Sequence, residues 1–242
     1  NKRRRDKMFG YFYYYDPTLI FALIGLVLSL LASARVNTVF NKYSRVMSRQ
    51  GITGAMAAER ILHSQGIYDV RIERVSGKLS DHYDPRSKVL RLSDSTYGDT
   101  SVAAIGVAAH ECGHAVQHAK GYGPLAVRSA LVPLANIGSS LGYILVIIGL
   151  LFTRNTGTML ITIGLIAFSC AVLFQIVTLP VEFNASSRAL VMLEGQGILG
   201  SEEIKGSRKV LSAAAMTYVA AAATSILQLI RLIIIAGGRN RD

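Results

Sequence analysis

Residues 130–152 read ALVPLANIGSSLGYILVIIGLLF, and residues 157–179 read GTMLITIGLIAFSCAVLFQIVTL. Neither run contains a charged side chain, and each matches the roughly 20 mainly apolar residues that a helix needs to cross a bilayer. Only residues 153–156 separate them, so the two runs form a tight helical hairpin. Two further runs fit the same reading. Residues 18–34 follow Tyr11, Phe12, Tyr13, Tyr14 and Tyr15, a fit to the aromatic belt of a membrane interface. Residues 213–236 carry one charge, Arg231, near their end, where a long side chain can reach the headgroups. Soluble core helices seldom run over 20 residues without a charge. The hairpin and its two companions therefore predict an α-helical integral membrane protein with four transmembrane helices.

The composition agrees. Of 242 residues, 51% are hydrophobic and 17% charged, where a soluble domain carries about 25% charged residues. Mean hydropathy is +0.37. Lys and Arg number 26 against 15 Asp and Glu, a net charge of +11. Beside long uncharged runs, that excess points to a membrane surface and away from nucleic acid. Two cysteines are too few for a disulfide framework.

Between the runs lie a large polar segment, 35–128, and a smaller one, 180–212, with tails at 1–17 and 237–242. Met8 reads as the natural start, with residues 1–7 added ahead of it. Residues 36–64 are helical with a break at 51–54, where Thr53 is placed to cap a helix that follows. Residues 68–75 alternate as a strand should, and 78–93 form a hairpin turning at 84–87. Residues 101–119 are a helix of small and apolar residues closed by Gly121.

That last helix carries His110-Glu111-Cys112-Gly113-His114. Histidines four apart stack on one helical face, so both imidazoles can reach one ion. The glutamate between them can reach a water in an open coordination position, where zinc lowers the pKa of that water and the carboxylate takes and passes its proton. The five histidines and seven glutamates of the chain generate two histidines four apart with a glutamate directly after the first only about 0.003 times by chance. The chemistry indicated is metal-assisted amide hydrolysis. Cys112 faces away from His110 and reads as packing.

Catalytic zinc needs a third protein ligand. His118, one turn beyond His114, has drifted about 80° around the helix from His110, and the metzincin spacing is missing because Gln117 and Lys120 stand at its key positions. The other candidate is Glu182, just past the third apolar run. Membrane topology supplies an independent check: after the first span, the hairpin crosses out and returns, so residues 35–128 and Glu182 share one side.

Five stretches, 40–44 (FNKYS), 79–86 (LSDHYDPR), 108–118 (AAHECGHAVQH), 131–136 (LVPLAN) and 179–186 (LPVEFNAS), resemble the YugP-like family of membrane zinc metallopeptidases, also called neutral zinc metallopeptidases. A wider similarity is to the gluzincin membrane proteases, including the CAAX prenyl endoprotease and its bacterial heat-shock relative. The resemblance implies one zinc ion held by His110, His114 and Glu182, with Glu111 as general base and a small α+β zincin-like catalytic region at the membrane surface. The wider group has Asp four residues beyond the third ligand, as partner to a ligand histidine. Here that position is Ser186, and Asn184 or Ser186 is the substitute.

A zinc protease also needs a donor for the tetrahedral oxyanion and groups that hold the peptide. The polar residues available are His82, on a hairpin edge where an extended substrate could pair, with His118, Arg188 and Tyr218. Lys and Arg number 17 on the side of the motif, against three on the other once residues 1–7 are set aside. The positive-inside rule therefore expects the catalytic side in the cytoplasm, in a bacterial multi-pass protein. The expected function is a metalloendopeptidase acting on membrane or membrane-proximal proteins and peptides, with the lipid bilayer as its setting and a regulatory membrane partner or a second copy as further partners. The alternatives are a non-catalytic zinc protein that regulates another protease, and a metal transporter. A fourth protein ligand would favour the first, and ionisable residues within the spans would favour the second.

Overall fold

A computed structural model describes residues 16–152 and 154–238. The aromatic run 11–15, residues 1–7, Thr153 and residues 239–242 lie outside the described residues. In chain order the elements are α1 (Leu19–Tyr43), α2 (Gly54–Ser64), β1 (Arg71–Val75), β2 (His82–Asp84), β3 (Val89–Ser93), α3 (Asp94–Tyr97), α4 (Val102–Ala119), α5 (Gly123–Leu151), α6 (Arg154–Gly195) and α7 (Ser201–Gly238). Among them, α1, α5, α6 and α7 are long and apolar enough to cross a membrane. Large apolar side chains stand outward along them, Leu31 at 64% and Leu151 at 78% exposure among others. Lipid is the solvent that suits such surfaces.

The chain divides into two compact units. The first holds the described residues of 1–29, 133–173 and 220–242. Its core is Val146, Phe168, Val172 and Leu232, with Tyr143, Leu165 and Leu229 packed around them. The hairpin helices meet backbone to backbone: a Cβ on Gly142 would lie 2.9 Å from the Gly164 carbonyl oxygen, and one on Gly164 would lie 2.7 Å from the Gly142 oxygen. Small residues that admit this approach are how helices pack in lipid, where no hydrophobic force drives them together. Arg231 has partners near the start of α1. Its Nη2 reaches Asp16 Oδ2 at 3.0 Å and its Nε donates to Thr18 Oγ1 at 3.3 Å.

The second unit comprises residues 30–132 and 174–219 and contains the three-stranded sheet, ordered β1-β3-β2. β1 runs parallel to β3, with Arg71 opposite Val89 and Val75 opposite Ser93; β2 runs antiparallel, with His82 opposite Arg91 and Asp84 opposite Val89. The expected turn is held by Asp84, which accepts from the Arg86 amide at 3.0 Å and the Ser87 hydroxyl at 2.6 Å. β3 is the central strand, and its Val89, Leu90 and Leu92 are fully buried. α2 packs against α4, and Ile61, Leu62, Ile105, Ala108, Ala109 and Cys112 belong to one core with Leu90 and Leu92. Burying each of the large aliphatic side chains among them contributes about 1.5–3 kcal/mol.

The helix boundaries follow local chemistry. The Thr53 hydroxyl accepts from the Met56 amide and the Ser101 hydroxyl from the Ala104 amide, which caps α2 and α4. α4 stops at a turn where Gly121 adopts φ +61. Three features differ from the sequence reading. Residues 44–50, expected as helix, are not helical: α1 ends at Tyr43, and the backbone there pairs with 100–102 instead, Ser48 N–H donating to the Thr100 carbonyl at 2.9 Å and Val102 N–H to the Val46 carbonyl at 2.8 Å. α6 is one helix of 42 residues that passes through Pro180, where the sequence suggested a span ending at 179 and a separate helix. Proline removes only the one N–H that would have bonded the Ile176 carbonyl, and long membrane helices accommodate that loss. At 1.5 Å per residue α6 is about 63 Å long, roughly twice the hydrocarbon core, so only part of it can lie in the bilayer. α3 is a short helix that the sequence did not signal.

Candidate metal centre

The site lies within the second unit, where α4 meets α6. On α4, alanines and glycines make a thin helix whose buried residues run almost continuously from Val102 to Gln117. On α6, Val181, Ala185, Ala189 and Leu193 are buried at every fourth position, which turns that face inward and carries Glu182 with it. The helices touch at Gly113 and Ala185: a Cβ on Gly113 would stand 2.5 Å from the Ala185 carbonyl oxygen. Glycine between Cys112 and His114 therefore sets how closely the motif helix approaches Glu182.

This crossing brings three ligand residues together. His110 Nε2 lies 3.2 Å and His114 Nε2 3.6 Å from the same oxygen, Glu182 Oε2. Ligand atoms of the three residues all lie within 4.8 Å of one another. The imidazole rings are edge to face, with centroids 4.8 Å apart. Glu182 is 2% exposed, and neither of its oxygens has a hydrogen-bond partner. A buried carboxylate without hydrogen bonds, facing two imidazole nitrogens, is a cradle for a cation, and two imidazoles with one carboxylate suit zinc. The residues present fit the ion.

The other ring nitrogens are engaged. His114 Nδ1 is 3.0 Å from Gln117 Oε1. Gln117 is fully buried, and its Nε2 donates to the Val181 carbonyl at 2.8 Å and to Asn184 Oδ1 at 3.0 Å. With both amide protons used on oxygens, the Gln117 oxygen can only accept, so His114 carries a proton on Nδ1 and leaves Nε2 for a second proton or a metal. Ser186 Oγ stands 3.1 Å from His110 Nδ1 and orients that ring, as a hydroxyl that can either accept or donate. Burial alone would push the His114 pKa down, but the Glu182 carboxylate, then the Glu111 charge and Gln117, outweigh it and hold the ring above the ordinary imidazole value.

A cavity of about 800 Å³ opens on this cluster, lined by Glu111, His114, Glu182 and Tyr218, by Arg128 of α5 and by the residues of β2. His82 and His118 also line it. His82 is exposed, with Nδ1 2.9 Å from the Ser80 carbonyl oxygen. His118 Nδ1 lies 2.8 Å from the Tyr83 hydroxyl and takes no part in the metal cluster. Burial, then the charges of Asp69 and Asp84, push the Tyr83 phenol up to about 12, so it stays protonated. Arg188 donates from Nε to Asn184 Oδ1 at 2.7 Å and lies over the Tyr122 ring. Cys112 is buried, with its thiol toward the Ala58 carbonyl, and both cysteines are free.

Three residues of the site were not singled out by the sequence reading. Gln117 was open to discovery, because it stands three residues from His114 on the same helical face. Tyr83 and Arg128 are set by tertiary structure, Arg128 reaching Glu182 Oε1 with Nη1 at 3.4 Å.

The fold and the cluster together describe a membrane protein with a metal site of zinc-peptidase type. The chain belongs to the neutral zinc metallopeptidase family: the family described as "Putative neutral zinc metallopeptidase" matches it over residues 18–237. It is 46% identical over 225 residues to the "Putative membrane protease YugP" of Bacillus subtilis (strain 168), a match that covers 93% of this chain and 99% of that protein. No solved structure matches the chain.

Proposed function

We propose that the protein is a membrane-embedded zinc metalloendopeptidase of gluzincin type that hydrolyses peptide bonds in membrane or membrane-proximal proteins, with its catalytic side in the cytoplasm. The observation that carries this reading is the convergence of His110, His114 and Glu182 beside an open cavity that Glu111 also lines. A structural zinc site is closed by four protein ligands. Here the cluster among the described residues has three, and the further histidine of α4, His118, is paired with Tyr83.

Bound zinc would acidify a water and polarise a carbonyl. His110, His114 and Glu182 would hold the ion, with Gln117 and Ser186 fixing the two rings. Glu111, 8% exposed on the cavity wall, takes the proton of the attacking water and delivers it to the departing amine. Tyr218 lines the same wall, within electrostatic reach of Glu182 and Glu111, and is the donor for the oxyanion. β2 is a sheet edge on the cavity, and an extended peptide can add to it beside His82. Glu182 follows the apolar run 157–179 by three residues, which favours substrates close to the bilayer.

The test pairs zinc analysis with a proteolysis assay on detergent-purified wild type and Glu111→Gln. One zinc in both, with cleavage by the wild type alone, is expected. Zinc in both with equal cleavage would overturn the assignment of Glu111. Zinc without cleavage of any membrane or soluble substrate would favour a regulatory zinc protein.

A further inference from the structure

We propose that Arg128 is a positioning residue that presents Glu182 to the metal through a single oxygen. The proposal rests on the reading that His110, His114 and Glu182 hold zinc. Arg128 lies on the second turn of α5, which begins directly after the Gly121 turn that ends α4. Three helices thus meet at one carboxylate: α4 brings the histidines, α6 brings Glu182, and α5 brings the guanidinium.

The two carboxylate oxygens have different neighbours. Oε2 faces both histidine Nε2 atoms, at 3.2 and 3.6 Å. Oε1 faces Arg128 Nη1 at 3.4 Å. Glu182 is 2% exposed, and removing the partner of a buried carboxylate leaves its charge uncompensated. The Arg128 guanidinium is a planar fork of donors that suits a carboxylate. It therefore keeps Glu182 oriented before an ion arrives, and it holds Oε1 back so that Oε2 alone is offered. Its Nε is buried without a hydrogen-bond partner, so the group is not committed to another carboxylate through that atom.

The experiment uses the full chain in detergent as wild type, Arg128→Gln, Arg128→Lys and Glu182→Gln. Zinc affinity is measured by competition with a chromogenic chelator, and coordination by the visible spectrum of the cobalt(II)-loaded protein. Arg128→Gln is expected to bind zinc about 10–100-fold more weakly. Its cobalt bands should also weaken, as Glu182 becomes free to bind through both oxygens and coordination number rises. A loss of packing alone would move the melting temperature of the metal-free protein without changing the cobalt spectrum. A wild-type cobalt spectrum in Arg128→Gln, or unchanged or tighter zinc binding, overturns the proposal. If Arg128→Gln does not fold, Arg128→Lys carries the test. It keeps the charge but loses the planar fork, so an altered cobalt spectrum is expected and a wild-type spectrum with wild-type affinity overturns the proposal. Glu182→Gln separates the two levels of the argument: wild-type zinc affinity in that variant would show that Glu182 is not a ligand, and Arg128 would then have nothing to position.

Discussion

Gln117 fixes the tautomer of His114. Its amide nitrogen is committed to the Val181 carbonyl and to Asn184, so its oxygen must accept from His114 Nδ1, 3.0 Å away. The ligand nitrogen Nε2 is thereby turned toward Glu182. Replacing Gln117 with Leu leaves the buried His114 Nδ1 without its acceptor and removes the amide bonds to the Val181 carbonyl and to Asn184, which keeps Arg188 as a donor. Zinc affinity should fall about 10–100-fold, with a stability loss of about 1–3 kcal/mol from the buried ring nitrogen left unpaired. Chelator competition and thermal melting measure the two effects, and wild-type zinc affinity in Gln117→Leu would contradict the assignment.

The His110 ring should depend less on its partner. Ser186→Ala removes the hydroxyl 3.1 Å from His110 Nδ1 but leaves space for a water, so a smaller loss of zinc affinity than in Gln117→Leu is expected. Chelator competition on the two variants side by side ranks them. A larger loss in Ser186→Ala would make the His110 ring the more dependent of the two.

Gly113 is where α4 and α6 come closest. Alanine there would place Cβ against the Ala185 carbonyl, a backbone atom that cannot turn aside. A destabilisation of about 1–3 kcal/mol is expected, together with weaker zinc binding as Glu182 is pushed from the histidines. Gly123→Ala, whose Cβ would meet nothing within 4 Å, is the control and should leave both unchanged. Equal behaviour of the two variants would contradict the close crossing.

Zinc binding should be sensitive to acid. In the metal-free protein the carboxylates around His114 hold its pKa above the ordinary 6.5, and Nε2 must be free of its proton to bind zinc. Below the raised pKa the proton occupies that position, and above it the lone pair is available. Zinc affinity therefore rises with pH through a window above 6.5, and acidification releases the ion earlier than an unperturbed imidazole would. Chelator competition across that range measures the affinity at each pH, and an affinity that begins to fall only below 6.5 would contradict the reading.

The fold was legible wherever one physical signal dominated. Uncharged runs at 130–152 and 157–179 announced the hairpin, Thr53 and Gly121 marked helix ends, and the turn at 84–87 carried its own hydrogen-bonding aspartate. Pro180 misled because the sequence alone could not say that the surrounding helix would continue without one N–H. At the site, the spacing of His110 and His114 and the parity of the membrane crossings brought Glu182 to the same side, and the structure brings all three together. The groups that tune them were less legible. Gln117 looks like any polar helical residue until Val181 and Asn184 stand opposite it, and Arg128 looks like a flanking charge at the edge of an apolar run until α5 folds back over Glu182. Gln117 stands three residues from His114 on α4, but its bonds to α6 and the Arg128–Glu182 pair join separate helices and have no sequence spacing.

The central claim, a single zinc held by two imidazoles and one carboxylate, is tested most directly by X-ray absorption at the zinc edge of the purified protein. The account predicts one zinc per chain with nitrogen and oxygen neighbours at about 2.0–2.2 Å, including imidazole scattering from two rings. A sulfur shell at about 2.3 Å, scattering from three or more imidazoles, or a chain that takes up no zinc would contradict it.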